Sequence, residues 1–454
     1  MKTARAFAGK RYVVLGLART GVSVVDYLWD SSASLVAWDD REEARARVEG
    51  KARLADPMEL DLSKFEAIIV SPGVPLNTHP LAEKAREAGT PLIGDIELFA
   101  QARPELPDHK VVGITGTNGK STTTALIHHI CQTAGVPSLM GGNIGNPILA
   151  ERELPEGGVY VLELSSFQID LTYNLDCDAA ILLNITPDHL DRYADFEAYA
   201  ASKARLFAMQ ASEHPAIIAV DDAPSAEIAA SLNADPDPAL WKKLRGQKRA
   251  IAKAKAKARA AKRKVIKFSA GGCMDQSAWP ALQGPHNAQN AIAAMTAARE
   301  IGISEDAIDE GLRTYPGLPH RMERVGDRSG VLYINDSKAT NPESTAPALA
   351  AYPHVHWIVG GRPKGPDLDA CAPYFDHVCA AYTIGEAAHM FEELLRPHME
   401  VRNCFQLRKA VELAAETAKD GETVLLSPAC ASYDQYASYE ERGDEFRGIV
   451  RGLA

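Results

Sequence analysis

The stretch "VVGITGTNGKSTTTALIHHI" (residues 111–130) passes from β-branched residues through a glycine-bearing loop into a helix-like pattern. Within it, Gly116, Thr117, Asn118, Gly119, Lys120, Ser121 and Thr122 have the chemistry of a phosphate cradle. Backbone amides face the oxygens, the lysine offsets their charge, and the Ser121 hydroxyl can serve a magnesium ion. The strict spacing of such loops puts glycine at 114, where Ile114 stands, but the strand–loop–helix order is kept. These residues predict a nucleoside triphosphate site.

Magnesium takes oxygen donors and retains waters. Glu163 ends the strand-like "VYVLELSSFQ", and the carboxyl ends of parallel strands are where ligand sites gather. "NITPDHLDRY" (184–193) closes another strand candidate and offers Asp188, His189 and Asp191. A loop histidine is usually satisfied by its neighbours, but beside a phosphate loop and a strand-end acid His189 becomes a site candidate. "GLARTG" (16–21) fits the dinucleotide fingerprint except at Ala18, where the middle glycine would let backbone approach a pyrophosphate. Asp39 and Asp40 stand where an acid can bind a ribose hydroxyl. An NAD site, a site for another nucleoside diphosphate and a plain tight turn all remain open there.

The elements that must position these residues alternate strand-like and helix-like almost throughout, which predicts parallel α/β domains. "RYVVLGL", "LVAWDD" and "FEAIIVSPG" are early strands; "VYVLELS", "AAILLNIT" and "AIIAV" follow the phosphate loop; "HWIVGG", "AAYTIG" and "TVLLSPA" come last. The proline-broken "QARPELPDHK" (101–110) and "TYPGLPHR" (314–321) mark boundaries. Three domains are expected, 1–108, 109–316 and 317–454, in line with the length of 454 residues.

No apolar run is long enough for a membrane span, and no secretory signal is evident. Seven scattered cysteines without a CxxC pair predict reduced thiols, a cytoplasmic setting and no structural zinc. The net charge of −11 argues against general nucleic-acid binding. One segment runs against that average: from Trp241 to Phe268 there are 13 Lys or Arg and no acid, leaving 36 basic against 60 acidic residues elsewhere. Its alanine-rich part, 251–264, favours helix without a wide apolar stripe, so a solvated helical insertion is expected, with an anionic partner as the sharper alternative.

"GTNGKST", "ELSSFQ", "NITPDHLDRY", "GPHNAQN", "LPHRME", "INDSKATNPEST" and "LLSPACASYDQY" stand in the order seen in Mur ligases, which this sequence resembles from "VVLGLARTG" nearly to its end, sparing mainly the basic insertion near 242–268. "NDSKATN" and "SPACAS" point to the D-glutamate-adding branch and away from folylpolyglutamate synthases. The resemblance implies an α/β fold of three mostly parallel sheets: a Rossmann-like N-terminal domain for a UDP-muramoyl substrate, a P-loop ATPase-like centre, and a Rossmann-like C-terminal domain for the amino acid. It implies ATP-dependent addition of D-glutamate to UDP-N-acetylmuramoyl-L-alanine through an acyl phosphate, in cytoplasmic peptidoglycan precursor synthesis. A monomer that closes around three small-molecule substrates, with no nucleic-acid partner, is expected.

Carried over residue by residue, Lys120, Glu163, His189 and Lys203 would be catalytic. The resemblance gives two magnesium ions, one served by Ser121 and Glu163, the other by His189 and Lys203. Lys203 in "FEAYAASKARLF" would otherwise read as a solvated helix-face lysine; in the family the aligned residue is carbamylated, which reverses its charge and supplies oxygens. Asn287, Asn290, Arg321 and Asp336 would face ATP, although helix capping is the plain alternative for the asparagines. Arg19, Thr20, Asp40, Arg41, Ser71, Gly73 and Asn143 would hold the UDP-sugar, which removes NAD from the first loop. Lys338, Thr340, Lys364, Ser432 and Tyr439 would take D-glutamate, whose two carboxylates call for cationic and hydroxyl donors. Tyr439 stands where phenylalanine is frequent in the family, and "GGRPKG" departs from the family's glycine-rich loop. A nucleotide-dependent switch protein, which would bind ATP without ligation, and another amide ligase are the competing readings.

Overall fold

The computed structural model describes residues 4–232, 263–272 and 274–453. It contains three sheets. In the first, the strands run in the order Arg53–Leu54, Ser34–Trp38, Arg11–Leu15, Ala67–Val70 and Leu92–Ile93, all parallel. In the second the order is Val265–Phe268, Ala216–Ala219, Ala179–Leu182, His109–Thr115, Gly158–Glu163 and Ser138–Gly142, again all parallel. The third runs Glu323–Arg328, Val331–Asn335, Thr423–Leu426, Val355–Gly360, Val378–Ile384 and Glu400–Phe405, and only its first pair is antiparallel.

Runs such as "AIIV", "AAIL" and "TVLL" are buried along their whole length. Parallel strands covered by helices on both faces need apolar side chains on both. The alternation is visible in the core: Tyr12 and Val14 join one cluster, while Val13 and Leu15 join another on the opposite face. Trp357 and Val359 likewise lie on one face of the third sheet and Ile358 on the other.

The chain forms two compact units, Met1–Ser269 with Ile292–Gly311, and Ala270–Ala291 with Leu312–Ala454. The first holds the first two sheets and the second holds the third. The break expected at 101–110 is a short 3-10 turn, Arg103–Glu105, between the helix Asp95–Ala102 and the strand His109–Thr115.

The basic segment is described only from Arg263 onward. Residues 233–262 lie outside the described residues, and with them most of the expected helix. Val265–Phe268 is a strand, paired in parallel with Ala216–Ala219. Its valine, isoleucine and phenylalanine favour an extended edge over continuation of a helix. Two of the segment's cations are engaged: Arg263 donates to the Phe207 carbonyl at 2.6 Å, and Lys264 pairs with Glu300 at 2.6 Å.

Candidate active site

The strand His109–Thr115 delivers the chain into Gly116, whose φ of 151° sets the loop against Leu183 and Asn184, where a Cβ would lie 3.1 Å from the Leu183 side chain. Gly119, at φ 84°, turns the chain into the helix Lys120–Thr133. Asn184 clasps the loop from the next strand end. Its carbonyl accepts from the Thr117 amide at 2.8 Å and its side-chain oxygen from the Asn118 amide at 2.8 Å. The Thr117 hydroxyl meets Tyr199 Oη at 3.1 Å. Lys120 curls over the loop and donates to the carbonyls of Gly116 at 2.9 Å and Thr117 at 2.7 Å. Ser121 and Thr122 are buried at the helix start.

Glu163 ends a strand that pairs in register with Ile114, two residues before the loop begins. Its Oε1 accepts from Asn143 Nδ2 at 2.7 Å, and its buried Oε2 has no hydrogen-bond partner. A buried carboxylate oxygen without a donor is costly unless a cation answers it. Glu163 therefore fits an oxygen-seeking ion such as Mg²⁺, and the Ser121 hydroxyl at the helix start is an oxygen donor of the kind such an ion takes.

Lys203, on the helix Phe196–Met209, is only 2% exposed, against the usual habit of lysine. Its Nζ donates to the Gly116 carbonyl at 2.9 Å and lies 4.5 Å from the Tyr199 ring centre. Burial, then the nearby Lys120 charge, push its ammonium well below the ordinary lysine range. As an ammonium Lys203 would repel a cation; as a carbamate it would offer anionic oxygens. His189 sits at φ 53° on the exposed loop, its ring 3.5 Å from the Asp188 carboxylate and 5.0 Å from the Phe167 ring. That ring is stacked with Tyr193 and capped by Arg192.

A cleft of about 450 Å³ gathers Arg19, Thr20, Arg41, Ser71, Gly73 and Asn143 with Gly16, Asp39 and Gln168. Six of the seven residues expected around a UDP-sugar line it; Asp40 does not, being exposed next to Asp39. Asp39 is the buried acid. It accepts from the Leu17 amide at 2.7 Å and from Arg41 at 3.1 Å. Burial alone would raise its carboxyl, but the bonds from Arg41 and Leu17 outweigh that and hold it at about 2. Ser71 donates to the Gly16 carbonyl at 2.7 Å, and a Cβ on Gly21 would fall 1.8 Å from the same carbonyl oxygen. The outer glycines thus serve the tightness of the turn. Arg19 reaches the Gly145 carbonyl at 3.2 Å.

In the second unit, Asn287 and Asn290 are buried in the first turns of the helix Pro285–Glu300 and bond to each other at 3.0 Å. Asn287 also donates to the Gln283 carbonyl, so neither capping nor a ligand accounts for that amide's whole bonding. Arg321 stands between His320 and Met322, both with φ in the left-handed region, at 61° and 50°. Such strain in large side chains persists only where neighbours enforce it. Here Glu323 accepts from the His320 amide and Asp336 from the Met322 amide, at 2.9 and 3.1 Å. Burial lifts the Asp336 carboxyl to about 7, against the lowering effect of Ser427 and Arg321. Burial and the Arg321 charge drop His286 to about 4.

Lys338 donates to Tyr439 Oη at 2.9 Å and lies over its ring, so the tyrosine hydroxyl is used within the site. Lys364 meets the Thr340 hydroxyl at 3.3 Å, which brings the "GGRPKG" loop to "DSKATN". Ser432 is buried. The feature that motif reasoning passed over is Arg442, 1% exposed, on the helix Tyr439–Gly452. It donates to Ser337 Oγ at 2.9 Å, to the Ser337 and Cys430 carbonyls at 2.8 and 3.0 Å, and more weakly to Gly360 and Ala431. One side chain thus ties together the loops carrying Lys338, Lys364 and Ser432. In sequence it is one of several charges in "YEERGDEFR", with nothing to single it out.

Three family models match the chain: the Mur ligase MurD-like N-terminal domain over residues 10–94, the Mur ligase middle domain over 114–298, and the Mur ligase glutamate ligase domain over 320–430. The chain is 56% identical to the UDP-N-acetylmuramoylalanine–D-glutamate ligase of Novosphingobium aromaticivorans, across 100% of this chain and 97% of that protein. It is 53% identical to the ligase of the same name from Sphingopyxis alaskensis, across 100% of both. The fold is similar to that of the MurF ligase from Thermotoga maritima in complex with ADP, with a TM-score of 0.56 at 16% identity over 98% of this chain and 96% of that one. A phosphate loop, a strand-end acid and full-length relatedness of this order lead to one conclusion: the chain belongs to the Mur ligase family.

Proposed function

We propose that this protein is an ATP-dependent, ADP-forming ligase that joins D-glutamate to UDP-N-acetylmuramoyl-L-alanine in cytoplasmic peptidoglycan precursor synthesis. The observation that carries the chemistry is the grouping around Gly116: a phosphate loop under Lys120, the buried Lys203 on the same carbonyl, and Glu163 on the neighbouring strand with one oxygen unanswered. Full-length similarity to ligases of that name supports the substrates.

The residues divide the work. Region 1–108 binds the uridyl substrate through Arg19, Thr20, Arg41, Ser71 and Gly73, with Asp39 fixing Arg41 and Asn143 extending the cleft. Region 109–316 binds the ATP phosphates through the amides of 116–122 and Lys120, and Asn287 and Asn290 are assigned to the nucleotide. Region 317–454 supplies Arg321 and Asp336 for ATP, and Lys338, Thr340, Lys364, Ser432 and Tyr439 for the amino acid.

The alanyl carboxylate attacks the γ-phosphoryl group, releasing ADP and leaving an acyl phosphate. The neutral amine of D-glutamate then attacks the acyl carbon, and collapse of the tetrahedral intermediate gives the amide and phosphate. Bound magnesium would offset charge between the two anionic reactants, held by Ser121 and Glu163 and, at a second position, by His189 and carbamylated Lys203. The carbamate keeps one N–H, so the bond from Lys203 to the Gly116 carbonyl can survive the modification. Burial favours the neutral amine that reacts with CO₂. Lys120 follows the phosphate charge, and the Lys338–Tyr439 contact orients a cation toward a D-glutamate carboxylate. Holding oriented reactants together is worth roughly 7–11 kcal/mol.

The test is phosphate release from ATP and Mg²⁺ with UDP-N-acetylmuramoyl-L-alanine across a panel of amino acids. Release that requires D-glutamate, with amide product, is expected. Release with another amino acid removes the specificity, and none from folded protein removes the ligase reading.

A further inference from the structure

Three side chains at the far end of the third sheet have no part in the ligase chemistry. His356, Cys379 and Glu422 place one ligand atom each within 4.8 Å of the others. They come from three adjacent parallel strands: His356 from Val355–Gly360, Cys379 from Val378–Ile384, and Glu422 from just before Thr423–Leu426. All three stand where these strands begin. Lys364 and Ser432, ascribed to D-glutamate, follow the opposite ends of Val355–Gly360 and Thr423–Leu426, about 15 Å away at 3.3 Å per residue.

The placement of Cys379 is not that of an ordinary strand residue. Val355 pairs with Val378 and His356 with Ala380, so Cys379 is an extra residue that the ladder skips. Bulges are uncommon between parallel strands, and they re-aim a side chain. Here the bulge brings an exposed thiol to a buried histidine and a half-buried carboxylate. His356 is also prepared as a ligand. Its Nδ1 meets Tyr382 Oη at 3.0 Å, and its Nε2 faces Glu422 Oε2 at 2.9 Å. Glu422 is oriented in turn by the Lys419 amide at 2.8 Å. An imidazole held at one nitrogen, with the other aimed at a carboxylate and a thiol, has the supporting bond that metal-ligating histidines have.

We propose that His356, Cys379 and Glu422 form a binding site for a zinc-class cation, distinct from the magnesium positions of the ligase reading. Thiolate with imidazole and carboxylate suits zinc in a four-coordinate arrangement, the fourth position being left to water. On binding, the Cys379 thiol gives its proton to solvent. The proton on His356 Nε2 moves by way of solvent to Nδ1, where Tyr382 Oη turns from donor to acceptor. The cation replaces the hydrogen bond between His356 and Glu422 and ties three strands together where they begin.

The experiment uses the full chain without a histidine tag. Zn²⁺ is titrated in competition with a chromogenic chelator, and the Co²⁺ derivative is examined by absorption, for the native protein, Cys379→Ser and Cys379→His. The native protein should bind one equivalent more than Cys379→Ser and show a thiolate-to-cobalt charge-transfer band that the variant lacks. Cys379→His should recover the equivalent without the band. Magnesium-dependent ligation should be the same in all three, which also reports that the variants fold. Equal stoichiometry in native protein and Cys379→Ser, with no thiolate band, would overturn the site and leave the ligase reading untouched.

Discussion

Lys120 and Lys203 donate to the same acceptor, each Nζ lying 2.9 Å from the carbonyl oxygen of Gly116. Two ammonium groups cannot share one carbonyl in a buried setting without repulsion, and the more buried of them gives up its proton more readily. The neutral amine so produced is the form that captures CO₂, and capture turns a repulsive pair into an attractive one. Activity should fall in buffer stripped of CO₂ and return on addition of bicarbonate. Lys203→Arg should lose at least a hundredfold in kcat with ATP binding retained. Labelled bicarbonate should give a carbamate carbon signal by NMR in the native protein and none in the variant.

Glu163→Gln separates catalysis from stability. The variant keeps the Asn143 bond and removes a buried charge whose Oε2 has no donor. Turnover should drop at least a hundredfold while Tm stays level or rises, because an unanswered buried carboxylate costs stability in the metal-free protein. A fall in Tm in metal-free buffer would mean that the charge is met by something else.

Arg442→Lys tests the tie between three loops. A lysine cannot reproduce the fork that spans Ser337 and Cys430. The KM for D-glutamate should rise at least tenfold, and affinity for ATP, read by a fluorescent analogue, should change little. Equal losses for both substrates would indicate general damage to the fold.

Asp336 sets a pH dependence whose sign follows from its raised carboxyl. The folded state holds the proton up to about 7, the unfolded chain only to about 4, so the folded state binds more protons between those values. The contribution to stability is full below about pH 4 and is lost as pH rises toward 7, by a few kcal/mol in order of magnitude. Asp336→Asn should remove this slope from denaturant titrations across pH 4–7, and under the proposed ribose contact it should weaken ATP binding by replacing a carboxylate acceptor with a single amide oxygen.

Asp39 behaves in the opposite sense. Its lowered carboxyl gives stability that is present above about pH 4 and lost as pH falls toward 2. Because it fixes Arg41 in the cleft, Asp39→Asn should raise the KM for the uridyl substrate about tenfold. Asp40→Asn, at an exposed position outside the cleft lining, should change it by no more than about threefold.

The sequence by itself determined the chemistry that travels in contiguous motifs. The phosphate loop, Glu163 at a strand end and the parallel α/β pattern were legible because backbone geometry ties residue type to position within a few residues: glycine where φ is positive, β-branched residues in covered strands, an acid where the strand ends. Lys203 showed as a candidate only through family resemblance, since a helix-face lysine looks solvated until the packing around it is known. Only the tertiary structure decided that Lys203 is buried on the carbonyl Lys120 uses, that Asp39 rather than Asp40 lines the cleft with Arg41 and Ser71, and that Val265–Phe268 extends a sheet. It also decided that Arg442 ties three loops and that a bulge swings Cys379 toward His356 and Glu422. These relationships join residues up to 105 positions apart, and burial, charge and hydrogen-bond partners at such separations are properties of packing that no local pattern encodes.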